Sequence, residues 1–229
     1  MTPNLMIDLE TLSTSPRAVV TQLGWALFDP DATSEGVVRS GCYHLDVESQ
    51  IKNGLDMDWS TIEWWLKQDR AAQDLMVNPP SRRMLASEAL GLMEQQFPRG
   101  IEGVWSHGAT FDVVIVENLY RKAGRKPPWA HHDIRDTRTL FWLTGKERLV
   151  CSKNALKHSA EHDAVAQAIT VQRAVKIMRN QCTSSTVETS ITPSPPVSDS
   201  SVGTAFSEIH GTDPSSSLPP PSPPSTDAP

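Results

Sequence analysis

The chain has 229 residues, a length that suits one medium domain or two small ones. Its composition changes near Asn180, because residues 181–229 contain 10 prolines and 20 serines or threonines but no lysine, arginine or tryptophan. Such a segment has too little apolar surface to offset the entropy lost on ordering, so we predict a disordered tail over residues 181–229. All seven tryptophans lie in residues 1–180, which we predict to form one compact domain.

Charge and cysteine content constrain the setting of the protein more than its function. The formal net charge is −6, and the tail carries five acids and no base, which leaves the domain nearly neutral. A neutral domain neither indicates nor excludes nucleic-acid binding. The three cysteines lack metal-ligand or redox spacing. No apolar run approaches the roughly 20 residues of a membrane helix, and the first strand begins too early for a signal peptide. We therefore expect a cytoplasmic protein with no membrane partner.

The predicted elements begin with three strands and continue with strand–helix units. Turn residues at 29–35 separate the second strand from the third, which is typical of an antiparallel meander. The segment Asp58–Ser60 offers an N-cap for the first helix, and Ser81 can cap the second. Mixed strands and helices in this order predict an α/β layered domain. The predicted strands are 5–9, 22–28, 36–47, 101–105 and 134–135, and the predicted helices are 61–68, 82–97, 111–123, 137–143 and 162–178.

Two carboxylates stand at the end of the first predicted strand. Side chains two apart in a strand project to the same face, so Asp8 and Glu10 lie together while Ile7 and Leu9 face the other way. Two such charges 4 Å apart repel each other by roughly 4 kcal/mol at an effective dielectric of about 20. A chain usually tolerates this arrangement where a cation lies between the acids. A solvated edge strand would explain the pair equally well.

More acids and a histidine lie at the ends of other elements. Asp112 opens the helix after the fourth strand, where the helix dipole alone would favour an acid. His158 lies in the loop before the last helix and Asp163 lies near the start of that helix, so both side chains can reach one site. Each residue alone is unremarkable, and only their combination with Asp8 and Glu10 points to a function.

The combination resembles a known family, the DEDDh 3′–5′ exonucleases of the ribonuclease H-like superfamily. The motifs that carry the resemblance are Asp8–Thr11, His107–Asp112 and the His-x4-Asp pair His158 and Asp163. Two further segments, Thr61–Leu66 and Arg135–Leu140, resemble the phage and exonuclease VIII-like branch. The resemblance spans about residues 4–178 and excludes the tail. It implies a ribonuclease H-like fold, a mixed five-stranded sheet flanked by helices, in a bacterial or phage-infected cell.

The resemblance also implies two divalent metal ions, Mg²⁺ or Mn²⁺. It implies that Asp8 bridges both ions, that Glu10 and Asp163 complete one, and that Asp112 supports the other directly or through water. Such ions favour oxygen ligands, and a pair of them can stabilise the attacking and leaving oxygens of a phosphodiester displacement. Histidine ionises near neutral pH, so His158 is the candidate base that takes a proton from the attacking water.

The third motif has a second register. His162 is followed by a stretch that also resembles the family pattern, but the residue five positions after it is Gln167. The residue five positions after His158 is Asp163. A neutral amide is a poor substitute for a carboxylate ligand, so we predict His158 and Asp163. The alternative, His162 with a missing fourth acid, predicts a crippled enzyme.

Candidate substrate contacts surround these motifs. A tryptophan ring can stack on a terminal base, which is worth roughly 1–3 kcal/mol, and Trp64 is the candidate. Adjacent residues of a helix point about 100° apart, so at least one of Trp64 and Trp65 should face the core. We favour the core for both. Arg138 suits a phosphate group. Thr11 ends the first motif, and His107 is explained equally well as a hydrogen-bonding loop residue.

We predict a metal-dependent 3′–5′ exonuclease that releases nucleoside 5′-monophosphates from the 3′ end of DNA. Single strands or 3′ overhangs are the preferred form. One alternative is an exoribonuclease that trims RNA ends, because the choice depends on how the site treats the 2′-OH. Another is a non-catalytic nucleic-acid-binding module on the same fold. The tail is open to binding a protein partner or to acting as a spacer.

Overall fold

The computed structural model describes residues 3–145 and 158–184, apart from the side chains of residues 182–184. These residues fall within one compact unit of the chain. Their strands are β1 (Asn4–Thr11), β2 (Val20–Phe28), β3 (Arg39–His44), β4 (Gly103–Ser106) and β5 (Ile134–Asp136). Their helices are α1 (Val47–Lys52), α2 (Trp59–Leu66), α3 (Arg70–Val77), α4 (Ala86–Glu94), α5 (Asp112–Lys122), α6 (Thr137–Leu143) and α7 (Ala160–Ser184). None of the helices described is long and apolar enough to cross a membrane.

The strands form a mixed sheet in the order β3-β2-β1-β4-β5. The first three strands are an antiparallel meander, and β4 and β5 extend the sheet in parallel with β1. Asp8 pairs with Gly24 and Glu10 with Gln22 across β1 and β2, and the register shifts between Glu10 and Thr11. The predicted α/β fold, a ribonuclease H-like five-stranded sheet flanked by helices, is confirmed.

The two faces of β1 belong to different cores. Leu5, Ile7 and Leu9 are buried in a core that includes side chains of α4 and α5. Met6 lies on the opposite face, in a core with side chains of α6 and α7. Complete burial of a Leu or Ile side chain contributes about 1.5–3 kcal/mol. Burial of the first face therefore stabilises the position of the strand. Asp8 and Glu10 lie on the second face and project towards α7.

The region after β3 differs from the predicted elements. The third strand ends at His44 instead of continuing to Val47, because Asp46 caps α1 and its Oδ1 accepts a hydrogen bond from Ser49 N at 2.6 Å. Helices α1 and α3 were not predicted, and α3 begins after an N-cap at Asp69.

The predicted helix start at Ser81 is wrong. Helix α4 begins at Ala86, and its N-cap Leu85 makes no side-chain capping bond. The backbone of Met84 instead bonds to His44 and Asp46, which keeps this part of the chain extended beside the end of β3. A segment tied to a strand end in this way cannot also form the first turn of a helix.

Helix α7 is longer than predicted at both ends. It begins at Ala160 instead of His162 and continues to Ser184, beyond the predicted end at Met178. Its last turn therefore enters the segment predicted as tail. The first proline of that segment, which would break a helix, is at position 193. Residues 185–229 lie outside the described residues, and their predicted disorder stays a prediction.

Candidate active site

Three carboxylates from distant parts of the chain meet beside β1. Asp8 and Glu10 come from the strand and Asp163 from the first turn of α7. One side-chain oxygen from each lies within 4.8 Å of the other two. Around one octahedral Mg²⁺ ion, neighbouring oxygens lie about 3 Å apart and opposite ones about 4.2 Å apart, so the three carboxylates would draw closer together to share one ion. The donor set therefore fits a hard divalent cation.

A glycine allows α7 to come this close to the sheet. A Cβ atom on Gly24 would lie 2.1 Å from the carbonyl carbon of Ala160, the first residue of the helix. No side chain can occupy that space, because the colliding atoms are backbone. Gly24 also pairs with Asp8 across the sheet. The start of α7 therefore lies against β2, and this contact places Asp163 near the acids of β1.

The turn before α7 is held by a buried amide. Gln22, which is 1% exposed, donates from Nε2 to the carbonyl oxygen of His158 at 3.4 Å. Its Oε1 accepts a hydrogen bond from Ala160 N at 3.3 Å. His158 itself has a positive φ of 59°, an uncommon conformation for a residue with a side chain. The amide of Gln22 thus supports a turn that the backbone alone does not favour.

Asp112 is tied to the same strand from another direction. It is the first residue of α5, it is 5% exposed, and its Oδ1 accepts a hydrogen bond from Leu9 N at 3.2 Å. Burial raises the pKa of Asp112 to about 7, although the hydrogen bond from Leu9 acts in the opposite direction. The four predicted acids are therefore gathered around the end of β1.

The clustering of acids in a partly closed site strongly perturbs their ionisation. Burial raises the pKa of Glu10 to about 8, and the charges of Asp163 and Asp112 add to the effect. Burial, followed by the charges of its neighbouring acids, raises the pKa of Asp8 well above its usual range. Burial also raises the pKa of Asp163, while His158 and His162 oppose that change. Without a cation, the site favours protonated carboxyls.

Gln167 lies one helical turn beyond Asp163. Its Nε2 donates a hydrogen bond to Asp8 Oδ1 at 2.6 Å. The structure thus places the carboxylate of Asp163 in the cluster and the amide of Gln167 behind Asp8. The assignment of His158 and Asp163 as the third motif stays a prediction.

His158 projects towards two tryptophans of α2. Its ring centroid lies 4.9 Å from that of Trp64 and 5.8 Å from that of Trp65, both in edge-on geometry. Trp65 is 1% exposed and donates from Nε1 to the carbonyl oxygen of Thr11 at 2.8 Å. Trp64 is 44% exposed. The prediction that both are core residues is wrong for Trp64, because α2 buries only one side against the sheet.

A cavity of about 410 Å³ opens between α2 and the end of β1. Glu10 and Trp64 lie in its wall, together with Leu9, Thr11, Thr14, Ser60, Thr61, Trp65 and Phe111. The hydroxyl of Thr11 donates to the carbonyl oxygen of Ser13 at 2.8 Å, so it already has an intramolecular partner. The cavity combines an aromatic face with hydroxyl groups and a carboxylate, and its volume is in the range of small-molecule sites.

Two further candidate residues, Arg138 and His107, lie outside the wall of this cavity. Arg138 is exposed, and its guanidinium lies 3.2 Å from the position of a Cβ on Gly108. Its positive charge opposes the rise in the pKa of Asp112. His107 bonds through Nδ1 to Thr137 Oγ1 at 2.8 Å and packs on Phe141. Arg138 is thus open to a ligand, whereas His107 has a structural contact.

Three residues that build the site were not predicted from the sequence. Gly24 and Gln22 lie within β2, where no motif distinguishes them, and Gln167 was considered only as a poor metal ligand. A polar residue four positions after Asp163 lies on the same side of a helix. That spacing is a signal that a buried contact with the acids was possible.

The fold resembles solved structures of exonuclease I. E. coli exonuclease I in complex with a dT13 oligonucleotide has a TM-score of 0.53 and 13% identity, over 80% of this chain and 42% of that one. An apo exonuclease I has a TM-score of 0.52 and 12% identity, over 80% of this chain and 45% of that one. Exonuclease I from Methylocaldum szegediense has a TM-score of 0.50 and 14% identity, over 79% of this chain and 42% of that one. This chain spans less than half the length of these proteins, and the likeness shows the fold alone.

Sequence comparison identifies the family. No curated protein matches the chain significantly. A family model described as the 3′-5′ exoribonuclease Rv2179c-like domain matches residues 3–178. That range contains the whole sheet described above and all four clustered acids. The chain therefore belongs to the family of 3′-5′ exoribonuclease Rv2179c-like domains.

Proposed function

We propose that the protein is a metal-dependent 3′–5′ exonuclease of the DEDDh type that removes nucleoside 5′-monophosphates from single-stranded RNA. The observation that carries the proposal is the meeting of Asp8, Glu10 and Asp163 within 4.8 Å beside a cavity with an aromatic wall. Buried acids with raised pKa values and a shared cleft are typical of catalytic sites. The description of the family as exoribonucleases favours RNA.

The metal ions would be held by the clustered carboxylates. Asp8, Glu10 and Asp163 would hold one ion, and Asp8 and Asp112 would contribute to a second. Mg²⁺ or Mn²⁺ bound there would stabilise the charge of the attacking and leaving oxygens. The acids must be ionised to bind the ions, so metal binding releases the protons that the metal-free site retains.

The remaining residues bind the substrate and move its proton. Trp64 offers the terminal base a stacking surface in the cavity next to Glu10. His158, held against Trp64 by the turn before α7, takes a proton from the attacking water. Arg138, which lies outside the cavity wall, contacts a phosphate group of the RNA.

The second candidate is the same reaction on DNA, which the sequence analysis favoured. Exonuclease I from E. coli was solved with a dT13 oligonucleotide bound, and this protein has a similar fold. The likeness is one of fold only, so it supports DNA less strongly than the family description supports RNA.

The test compares RNA and DNA oligonucleotides of the same sequence, labelled at the 5′ end, with Mg²⁺, Mn²⁺ or EDTA. We expect a ladder of products shortened from the 3′ end, formed faster from RNA and absent in EDTA. Asp8→Asn should abolish the ladder without unfolding the protein. Asp74→Asn on α3, a half-exposed acid that pairs with Arg70 and is not part of the cluster, is the matched control and should retain full activity. Full activity of Asp8→Asn would overturn the proposal.

A further inference from the structure

Gln167 is a buried amide in an apolar part of α7. It is 3% exposed. Its neighbours along the helix, Ala164, Ala168 and Val171, are buried in the core that contains Met6. An apolar residue at position 167 would extend that core. A buried amide therefore needs a partner that justifies its desolvation.

The amide has one such partner among the described residues, and that partner is Asp8. Nε2 donates to Asp8 Oδ1 at 2.6 Å, a short distance for an amide hydrogen bond. The Oε1 atom is buried and has no hydrogen-bond partner within the described part of the chain. Buried polar atoms of this kind call for a specific explanation, such as a water or an ion.

We propose that Gln167 is a positioning residue that orients the Asp8 carboxylate for metal binding. The inference rests on the proposed function, because it concerns the same acids. A hydrogen bond to Oδ1 fixes the rotation of the carboxylate and leaves its other lone pairs for an ion. Oε1 remains available to accept a hydrogen bond from a water in the hydration shell of the ion, of which Mg²⁺ usually keeps several.

The alternative is that Gln167 only stabilises the fold, and the chain offers a matched comparison. Gln172 lies on the same helix and is 4% exposed. Its Nε2 donates to the carbonyl oxygens of Asp29 and Gly36, and its Oε1 accepts from Gly36 N, at 2.8–2.9 Å. All three contacts are with the backbone between β2 and β3. Gln172 is thus a buried helical glutamine with a purely structural role.

The experiment measures Mn²⁺ affinity by isothermal titration calorimetry and the thermal midpoint Tm in EDTA. It uses the full chain as wild type, Gln167→Met and Gln172→Met. We expect Gln167→Met to bind Mn²⁺ about 10–100-fold more weakly than wild type, the usual effect of losing a residue that orients a ligand. Its Tm in EDTA should fall less than that of Gln172→Met, because only Asp8 Oδ1 loses a hydrogen-bond partner, whereas Gln172→Met leaves three backbone groups without theirs. Gln172→Met should show the reverse, with a lower Tm and unchanged Mn²⁺ affinity.

Gln167→Asn serves as a second variant if Gln167→Met does not fold. It keeps the amide but withdraws it from Asp8 by one methylene, and the same loss of Mn²⁺ affinity is expected. Wild-type Mn²⁺ affinity in a folded Gln167 variant would overturn the inference and leave the proposed function intact. Absence of Mn²⁺ binding by the wild type would overturn the proposed function, and the inference with it.

Discussion

Replacing Glu10 with Gln should stabilise the metal-free protein while it abolishes catalysis. Glu10 is 8% exposed, and burial raises its pKa from 4.5 to about 8. Folding therefore makes this carboxyl hold its proton more tightly. The contribution of this carboxyl to the stability of the fold is fully present below pH 4.5 and is lost as the pH rises through about 8.

The size of the effect follows from the two pKa values. At pH 7 the carboxyl is ionised in the unfolded chain and still largely protonated in the fold, which costs about 3 kcal/mol relative to low pH. Well above pH 8 the cost approaches the full difference of 3.5 in pKa (8 − 4.5), or about 5 kcal/mol. Between pH 6 and 9 this one group should remove about 2–3 kcal/mol.

The assay is urea unfolding in EDTA at pH 6 and pH 9, followed by circular dichroism. Wild type should lose about 2–3 kcal/mol more than Glu10→Gln between these pH values. Glu63→Gln is the matched control, since Glu63 is exposed on α2 and pairs with Lys67. Its change should stay below about 1 kcal/mol and should not depend on pH in this range. Equal losses in wild type and Glu10→Gln would refute the account of the acid cluster.

Three other substitutions probe the parts of the site separately. His158→Ala should lower kcat by about 10²–10⁴-fold with unchanged Mn²⁺ affinity; lost metal binding would point to a different role. Trp64→Ala should raise KM about tenfold or more, whereas Trp59→Ala, which is 69% exposed on the same helix, should not; equal effects would argue against stacking. Gly24→Ala should lower Tm and weaken Mn²⁺ binding together, because its Cβ would collide with the backbone of Ala160; Gly91→Ala on α4, with only a side chain 3.5 Å away, is the control.

The proximity of the acids could be predicted because it depends on short-range rules. Alternation along β1 places Asp8 and Glu10 on one face, and Asp112 and Asp163 lie in the first turns of helices that return to the sheet. Local patterns of this kind survive folding, because the apolar residues on the opposite face of β1 fix which side is exposed to α7.

The supports of the site could not be predicted because they depend on contacts between distant segments. Gln22 bonds to His158 and Ala160, more than 130 residues later in the chain. Gly24 belongs to no motif. The reason why this position must lack a side chain is visible only once α7 lies against β2. Likewise the end of β3 and the start of α4 are set by the backbone bonds of Met84.

The chain order of the acids has a consequence for synthesis. Asp8 and Glu10 leave the ribosome first, but Asp163 and the turn of His158 come from α7, the last helix of the described domain. The cluster of three carboxylates is therefore incomplete until almost the whole domain has emerged and α7 has settled on Gly24. A nascent copy therefore lacks the complete cluster, and with it the activity proposed above, while translation of the domain is still under way.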